Sequence, residues 1–191
     1  MDLARAYLEG GAPCLQLRAK DLASGPFLGL CDAVVSLARS FGALVIVNDR
    51  VDLALVACAD GVHVGVDDLP PSVARALLGP QAIVGLSTHT RAQIERGVAE
   101  PVSYIAVGPV FGTETKHTGY GAVGLGLVAE GVERAKGCPV VGIGGVTLDR
   151  VPAVLAAGAA GVAVISDLLT GGDPTARTAA YVRALPTAPP R

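Results

Sequence analysis

Several short stretches of this chain place side chains capable of chemistry at strand-like spacing. In Leu15-Gln16-Leu17-Arg18-Ala19-Lys20 the polar residues alternate, so on a strand Gln16, Arg18 and Lys20 share one face. Two cations and an amide so placed can grip a phosphate or diphosphate; a solvated edge strand would show the same pattern. Val45-Ile46-Val47 runs into Asn48-Asp49-Arg50, and the run 61–65 is followed by Asp67 and Asp68. Carboxylates from adjacent strand ends could share a hard divalent ion, and magnesium completed by substrate phosphates and water suits Asp49 with Asp68. The alternative for Asp49 is a plain helix cap.

Two further stretches extend the pattern. The segment from Phe111 to Gly121 is the longest polar connection in the chain and reads as a mobile lid, with Lys116 as an anion contact, or as a plain surface loop. Gly142-Ile143-Gly144-Gly145 and Val164-Ile165-Ser166 stand at the ends of the last two apolar runs, where glycines let backbone N–H groups approach a phosphate. Histidine assembles no site. His63 lies inside an apolar run and reads as a hydrogen-bonded structural imidazole, His89 and His117 fall on loops, and no pair has zinc-ligand spacing.

Composition narrows the partners. The chain has 191 residues, 15 Lys+Arg against 17 Asp+Glu and a net charge of −2, which gives no basic footprint for nucleic acid. Aromatic residues are 4% with no Trp, which argues against a base-stacking surface. No apolar run approaches the roughly 18 residues of a membrane helix, and no signal peptide is visible, so the expected location is the cytoplasm with no membrane partner. Cys14, Cys31, Cys58 and Cys138 lack metal or redox spacing and read as reduced core thiols. Lys occurs only three times against twelve Arg, and Asn48 is the sole Asn, so the positions of Lys20, Lys116 and Asn48 carry information.

The elements that position these residues follow from periodicity. Strands are expected over 14–20, 43–48, 61–65, 82–87, 103–110, 139–144 and 161–166, separated by helices over 27–41, 51–58, 70–78, 91–99, 123–136 and 148–157, with a last helix over 175–185 and an opening one over 3–8. Thr90 with Gln93 fits a capping box, Thr147 an N-cap, and Gly42, Gly79 and Gly137 follow helical stretches where a left-handed residue is wanted. Strict β/α alternation implies a parallel sheet with right-handed crossovers. No dinucleotide fingerprint follows a strand, and polar groups recur at many strand ends, which favours an α/β fold of the (β/α)8 TIM-barrel type over a doubly wound sheet. Seven parallel strands are visible and the first strand of an eight-strand barrel is lacking, which reads as a shortened product or a start lying upstream. Residues 1–185 are expected to form one barrel domain and 186–191 a disordered tail.

Taken in order, QLRxK, ND, DGVHxG with Asp68 beyond it, GxST, GPVFxTxTK, GIGG and GVAVIS resemble the thiamine phosphate synthase family and its thiazole tautomerase relatives, from about Leu3 to Leu185. The resemblance implies a transferase that joins 4-amino-2-methyl-5-pyrimidinylmethyl diphosphate to 4-methyl-5-(2-phosphoethyl)thiazole, giving thiamine phosphate and diphosphate. By that similarity Gln16, Arg18, Lys20, Asn48, Ser87 and Lys116 hold the pyrimidine diphosphate, with Arg18, Ser87 and Lys116 as its catalytic contacts. Asp49 and Asp68 ligate Mg2+, and Thr113, Thr115, Gly145, Ile165 and Ser166 bind the thiazole phosphate. The implied mechanism is a dissociative substitution that needs little acid–base chemistry, because the thiazole nitrogen carries no proton.

Three departures stand out: the lacking first strand, Val66 where the family has Gln, and Gly112 in place of a frequent Pro, which would loosen the loop. Two other readings stay open: a thiazole tautomerase, whose branch has a His in the segment that here reads Gly108-Pro109-Val110, and a degenerate barrel that binds phosphates without turnover. A homo-oligomer is equally left open.

Overall fold

The computed structural model describes residues 1–112 and 119–186. A helix α1 (Asp2–Glu9) precedes seven strands, each followed by a helix: β1 (Cys14–Leu17), α2 (Ser24–Ser40), β2 (Leu44–Asn48), α3 (Val51–Val56), β3 (Gly61–Val64), α4 (Pro71–Leu78), β4 (Ile83–Thr88), α5 (Arg91–Gly97), β5 (Tyr104–Val107), α6 (Gly124–Arg134), β6 (Val140–Ile143), α7 (Val151–Ala156), β7 (Gly161–Ala163) and α8 (Pro174–Ala184). Each strand pairs in parallel with the next, so the sheet order β1 to β7 repeats the chain order. A doubly wound sheet would reverse direction at a switch point; winding one way throughout curls the sheet as in a TIM-type barrel.

Alternation along the strands sorts side chains to two faces. Val45, Val47, Val62, Val64, Val84, Leu86, Ile105 and Val107 are buried against the helices. The helices answer with stripes at three- and four-residue spacing; in α2 these are Phe27, Cys31, Val34, Val35 and Ala38. Burying each such aliphatic side chain contributes roughly 1.5–3 kcal/mol, which is what holds the helices on the sheet. The opposite, concave face carries Gln16, Asn48, His63, Ser87 and Tyr104.

Local signals act largely where expected. Thr90 caps α5, accepting from Gln93 N at 3.2 Å, while the Gln93 side chain accepts from His89 N at 2.7 Å. Gly42, Gly79 and Gly137 all take positive φ. Several boundaries differ, and four of them bear on the strand ends and the last loops. The strand expected over 14–20 ends at Leu17, because its one neighbour, β2, is paired only as far as Val47 and turns away at Asp49 (φ 63°). Arg18 and Lys20 therefore lie beyond the strand, while Gln16 lies on it. The run 103–110 stops at Val107, ahead of Pro109, which has no N–H for a ladder. The strand expected to reach Ser166 ends at Ala163, and a 3-10 turn, Ser166–Leu169, follows. The helix expected over 148–157 divides into a 3-10 turn, Leu148–Arg150, and α7, where Pro152 suits the first turn. Thr147 makes no side-chain cap; the amide of Leu148 instead donates to Asp167 Oδ2 at 3.2 Å.

The cysteines also need correction. All four are free thiols, but only Cys31 is a core residue; Cys14 and Cys58 are exposed and Cys138 is half-buried. Cys14 follows the strand's alternation onto the concave face, and Cys58 sits at φ 51° just past α3. The lid reading, with Thr113, Thr115, Lys116 and His117, and the tail over 187–191 lie outside the described residues.

Candidate active site

Those sequence-predicted residues that the structure describes lie at or just beyond the C-terminal ends of the strands. Asn48 is buried at the end of β2 and Asp49 follows in the left-handed region, its amide donating to His63 O at 2.8 Å. That turn aims Asp49 at two neighbours. Lys20 Nζ lies 3.0 Å from Asp49 Oδ2, and Asp68, from the loop after β3, meets Asp49 side chain to side chain. Gly65 N donates to Asp68 Oδ2 at 2.7 Å, which fixes the second carboxyl. Burial pushes the Asp68 carboxyl up, the Asp49 carboxylate pushes it further, and Gly65 N–H and Lys20 oppose them. Two carboxyl groups in contact, one of them reluctant to ionise, form an oxygen-only pair that a divalent cation would relieve.

Beside this pair opens a cavity of 180 Å3 lined by Ala19, Lys20, Leu22, Phe27, Asn48, Asp49 and Arg50. Arg50 is held in its wall by paired bonds to Asp52 at 2.9 and 2.6 Å and by Ser24 Oγ at 3.0 Å. Gln16 and Arg18 are exposed at the β1 end of the same rim.

Ser87 is reached through a network that the sequence reading did not anticipate. Register places Asn48, His63, Gly85 and Tyr104 side by side across β2 to β5. His63 Nε2 lies 2.8 Å from Ser87 Oγ and Nδ1 lies 2.8 Å from Tyr104 Oη. The second bond passes over β4, and this is why residue 85 is glycine: a Cβ there would stand 2.2 Å from Tyr104 Cζ and 2.5 Å from His63 Nδ1. A neutral imidazole donates through one nitrogen and accepts through the other, so the three side chains form one directional chain. His63 is thus hydrogen-bonded through both ring nitrogens, and its Nε2 contact fixes the direction of the Ser87 hydroxyl. A glycine inside an apolar strand was the available signal for that close approach; nothing local marked Tyr104.

At the other side of the rim, Gly144 (φ 91°) and Gly145 (φ 63°) turn the chain after β6. A Cβ on Gly145 would lie 2.6 Å from Gly112 O, so the glycine lets this turn pack on the segment after β5. Phe111 N donates to Gly144 O at 3.0 Å, Arg150 donates to Gly145 O at 2.7 Å, and the Arg150 guanidinium rests 4.6 Å over the Phe111 ring. Across the same segment His89 stacks on Tyr120 with ring centroids 4.2 Å apart. Ile165 is exposed and Ser166 opens the 3-10 turn after β7. Asp167 beside it accepts from Arg177 Nη2 at 2.6 Å and from Tyr181. Burial pushes the Asp167 carboxyl up, but these hydrogen bonds outweigh it and hold it below the ordinary carboxylate range.

The arrangement therefore offers a carboxylate pair with cations at one end, a glycine turn with a serine at the other, and a buried polar row between them. Among the described residues no three His, Cys, Asp or Glu side chains cluster as metal ligands, so Asp49 and Asp68 stand as a pair. No helix of the described residues is long and apolar enough to cross a membrane.

Comparison with known proteins identifies the company this site keeps. The family model described as thiamine monophosphate synthase matches residues 1–168. A thiamine-phosphate synthase of Roseiflexus castenholzii is 43% identical over 180 residues, covering 94% of this chain and 78% of that protein. One of Anaeromyxobacter dehalogenans is 47% identical over 176 residues, covering 92% and 78%. Thiamine phosphate pyrophosphorylase from Pyrococcus furiosus superposes with a TM-score of 0.87 at 33% identity, covering 96% of this chain and 87% of that one. A 3-hexulose-6-phosphate synthase superposes with a TM-score of 0.68 at 19% identity over 96% of this chain and 95% of that one, a likeness of fold alone.

Proposed function

The chain belongs to the thiamine monophosphate synthase family, and from that premise we infer how it works as a transferase that makes thiamine phosphate from two small phosphorylated substrates. The electrophile is the aminopyrimidinylmethyl diphosphate and the nucleophile the thiazole phosphate. The C–O bond to diphosphate breaks with its electron pair leaving on oxygen, and the thiazole nitrogen then forms the C–N bond to the pyrimidinylmethyl cation. No proton moves in either step, so the residues act by holding charge in place.

Gln16, Arg18, Lys20, Asn48, Ser87 and Lys116 hold the diphosphate in this reading, and Arg18, Ser87 and Lys116 offset the charge that grows on it as it leaves. Ser87 acts from a fixed direction because His63 holds its oxygen. Lys20 neutralises Asp49 until a diphosphate draws its half-exposed ammonium away. Asp49 and Asp68 would hold Mg2+, which when bound supplies positive charge to the diphosphate oxygens. Thr113, Thr115, Gly145, Ile165 and Ser166 seat the thiazole phosphate. The observation that carries this reading is the contact of Asp49 with Asp68 beside Lys20 at adjoining strand ends. The synthase reading is favoured over the tautomerase by Gly108-Pro109-Val110, which holds no His, and by the synthase names of the relatives. We place the enzyme in the cytoplasm, where both substrates would be made.

The test is diphosphate release by the purified chain with both substrates and magnesium. Release that requires all three supports the reading; a folded protein that binds both substrates and releases none above background defeats it.

A further inference from the structure

Asp167 stands next to Ser166, yet its carboxylate faces away from the concave rim and into the packing of the last helix. Four donors meet one of its oxygens: Leu148 N at 3.2 Å, Arg177 Nη2 at 2.6 Å, Arg177 Nε at 3.2 Å and the Tyr181 hydroxyl. These donors come from two places. Leu148 opens the 3-10 turn that follows Gly144 and Gly145, whereas Arg177 and Tyr181 belong to α8. Arg177 Nε also donates to the Asp167 backbone oxygen at 3.2 Å, and the Tyr181 hydroxyl lies 3.4 Å from Val146 O. One oxygen thus joins the loop after β6, the loop after β7 and α8. The helix does not need this for its own start, because Asp173 caps it by accepting from Ala176 N at 2.9 Å.

We propose that Asp167 is the positioning residue of the thiazole-phosphate subsite, its carboxylate locking the loop after β6 to the loop after β7 so that Gly145, Ile165 and Ser166 converge on one phosphate. The inference rests on the reading of those three residues as phosphate contacts. A carboxylate adjoining a phosphate site would repel the ligand if its charge were unspent. Arg177 consumes that charge on the far side of the backbone, with both side chains largely buried. The thiazole phosphate therefore meets the backbone of 165–167 and the Ser166 hydroxyl while the acid stays behind them. Arg150 braces the same loop from the opposite side through Gly145 O, so the cup is held at both edges.

The test compares Asp167→Asn, Tyr181→Phe and Arg177→Lys with the parent chain, measuring KM for each substrate, kcat, and direct calorimetric binding of the thiazole phosphate. Asp167→Asn keeps the side-chain volume and removes the charge that gathers the donors. It should raise KM and Kd for the thiazole phosphate by about tenfold, as loosened positioning does. KM for the pyrimidine diphosphate should stay within about twofold. Arg177→Lys, which leaves Asp167 in place and keeps a cation on it, should show only a small part of the thiazole-phosphate rise. A merely structural role would lower stability and the active fraction while leaving both KM values alone; unchanged KM values, or unchanged thiazole-phosphate binding, overturn the proposal whatever the change in stability. Should Asp167→Asn fail to fold, Tyr181→Phe removes a single donor and must show the same one-sided rise. A parent chain that binds no thiazole phosphate would refute the functional reading itself, whereas binding by the parent and equal binding by Asp167→Asn refutes only this inference.

Discussion

Replacing Asp49 by Asn separates a metal ligand from a structural acid. Asparagine is the right substitute because Asp49 sits at φ 63°, which Asn tolerates and Ala does not. Two effects on the empty protein oppose each other. The bridge to Lys20 is lost, but it joins a side chain that is 53% exposed to one that is 20% exposed, and such pairs contribute about 0–1 kcal/mol. Removing the charge also relieves Asp68, whose carboxyl burial and Asp49 together push up. The sum is within about 1 kcal/mol of zero, so the melting temperature should move by no more than about 2–4 °C in a chain of this size. Function should respond on another scale. Loss of even a residue that orients a metal ligand weakens metal binding by 10–100-fold, so loss of a ligand should raise the half-saturating magnesium concentration by about 100-fold or more. The assay is initial diphosphate release against magnesium at saturating substrates, paired with thermal unfolding. KM for the thiazole phosphate should be unchanged. A magnesium titration that superposes on the parent's, or a fall in melting temperature beyond about 10 °C, would refute the assignment.

Other perturbations act on the polar row, the strand register and the last loops. Ser87→Ala should lower kcat by about 100-fold as a leaving-group donor is lost, and should destabilise by about 1–3 kcal/mol because His63 Nε2 loses the Ser87 hydroxyl in a buried row; equal kcat in steady-state assays would remove Ser87 from the site. Gly61→Ala would put a Cβ 1.9 Å from Ile83 O on the neighbouring strand, a backbone clash no side chain can relieve, so urea unfolding should show a loss of about 3 kcal/mol or more, and an unaltered midpoint would contradict the register. The Asp167 carboxyl is held below its ordinary value, so its contribution is fully present above the unfolded pKa near 4 and is lost as pH falls through the lower folded value; urea midpoints of the parent and Asp167→Asn should differ above about pH 5 and converge in more acid solution, and a gap that persists there would refute the sign.

What the sequence disclosed follows from how local each signal is. Element order and type were legible because the apolar runs alternate cleanly with 3.6-residue patterns, and α2 shows both the stripe and the stop at Gly42. Strand lengths were not, since they depend on how far a neighbour stays paired: Arg18 and Lys20 looked like strand residues in isolation, yet β2 leaves β1 at Val47. Asp49 and Asp68 were legible as strand-end acids, and their mutual contact required the left-handed turn at Asp49, which sequence shows only as a possibility for Asp. The Tyr104–His63–Ser87 row joins residues 24 and 41 positions apart, a relation that only register reveals. The cysteines were misjudged for the same reason, because an apolar neighbourhood along the chain does not say which face of a strand Cys14 occupies. Thr147 failed as a cap because a better acceptor, Asp167, arrives from 19 residues away.

In the function we propose, this carboxylate-and-cation rim joins two phosphorylated substrates with release of diphosphate. Phosphorus NMR of one sample containing the chain, both substrates and magnesium follows every participant at once. The diphosphate ester resonances should give way to inorganic diphosphate while the thiazole phosphate becomes thiamine phosphate, one for one, and omitting either substrate should stop both changes. Diphosphate appearing without thiamine phosphate, or neither appearing although both substrates are bound, would contradict it.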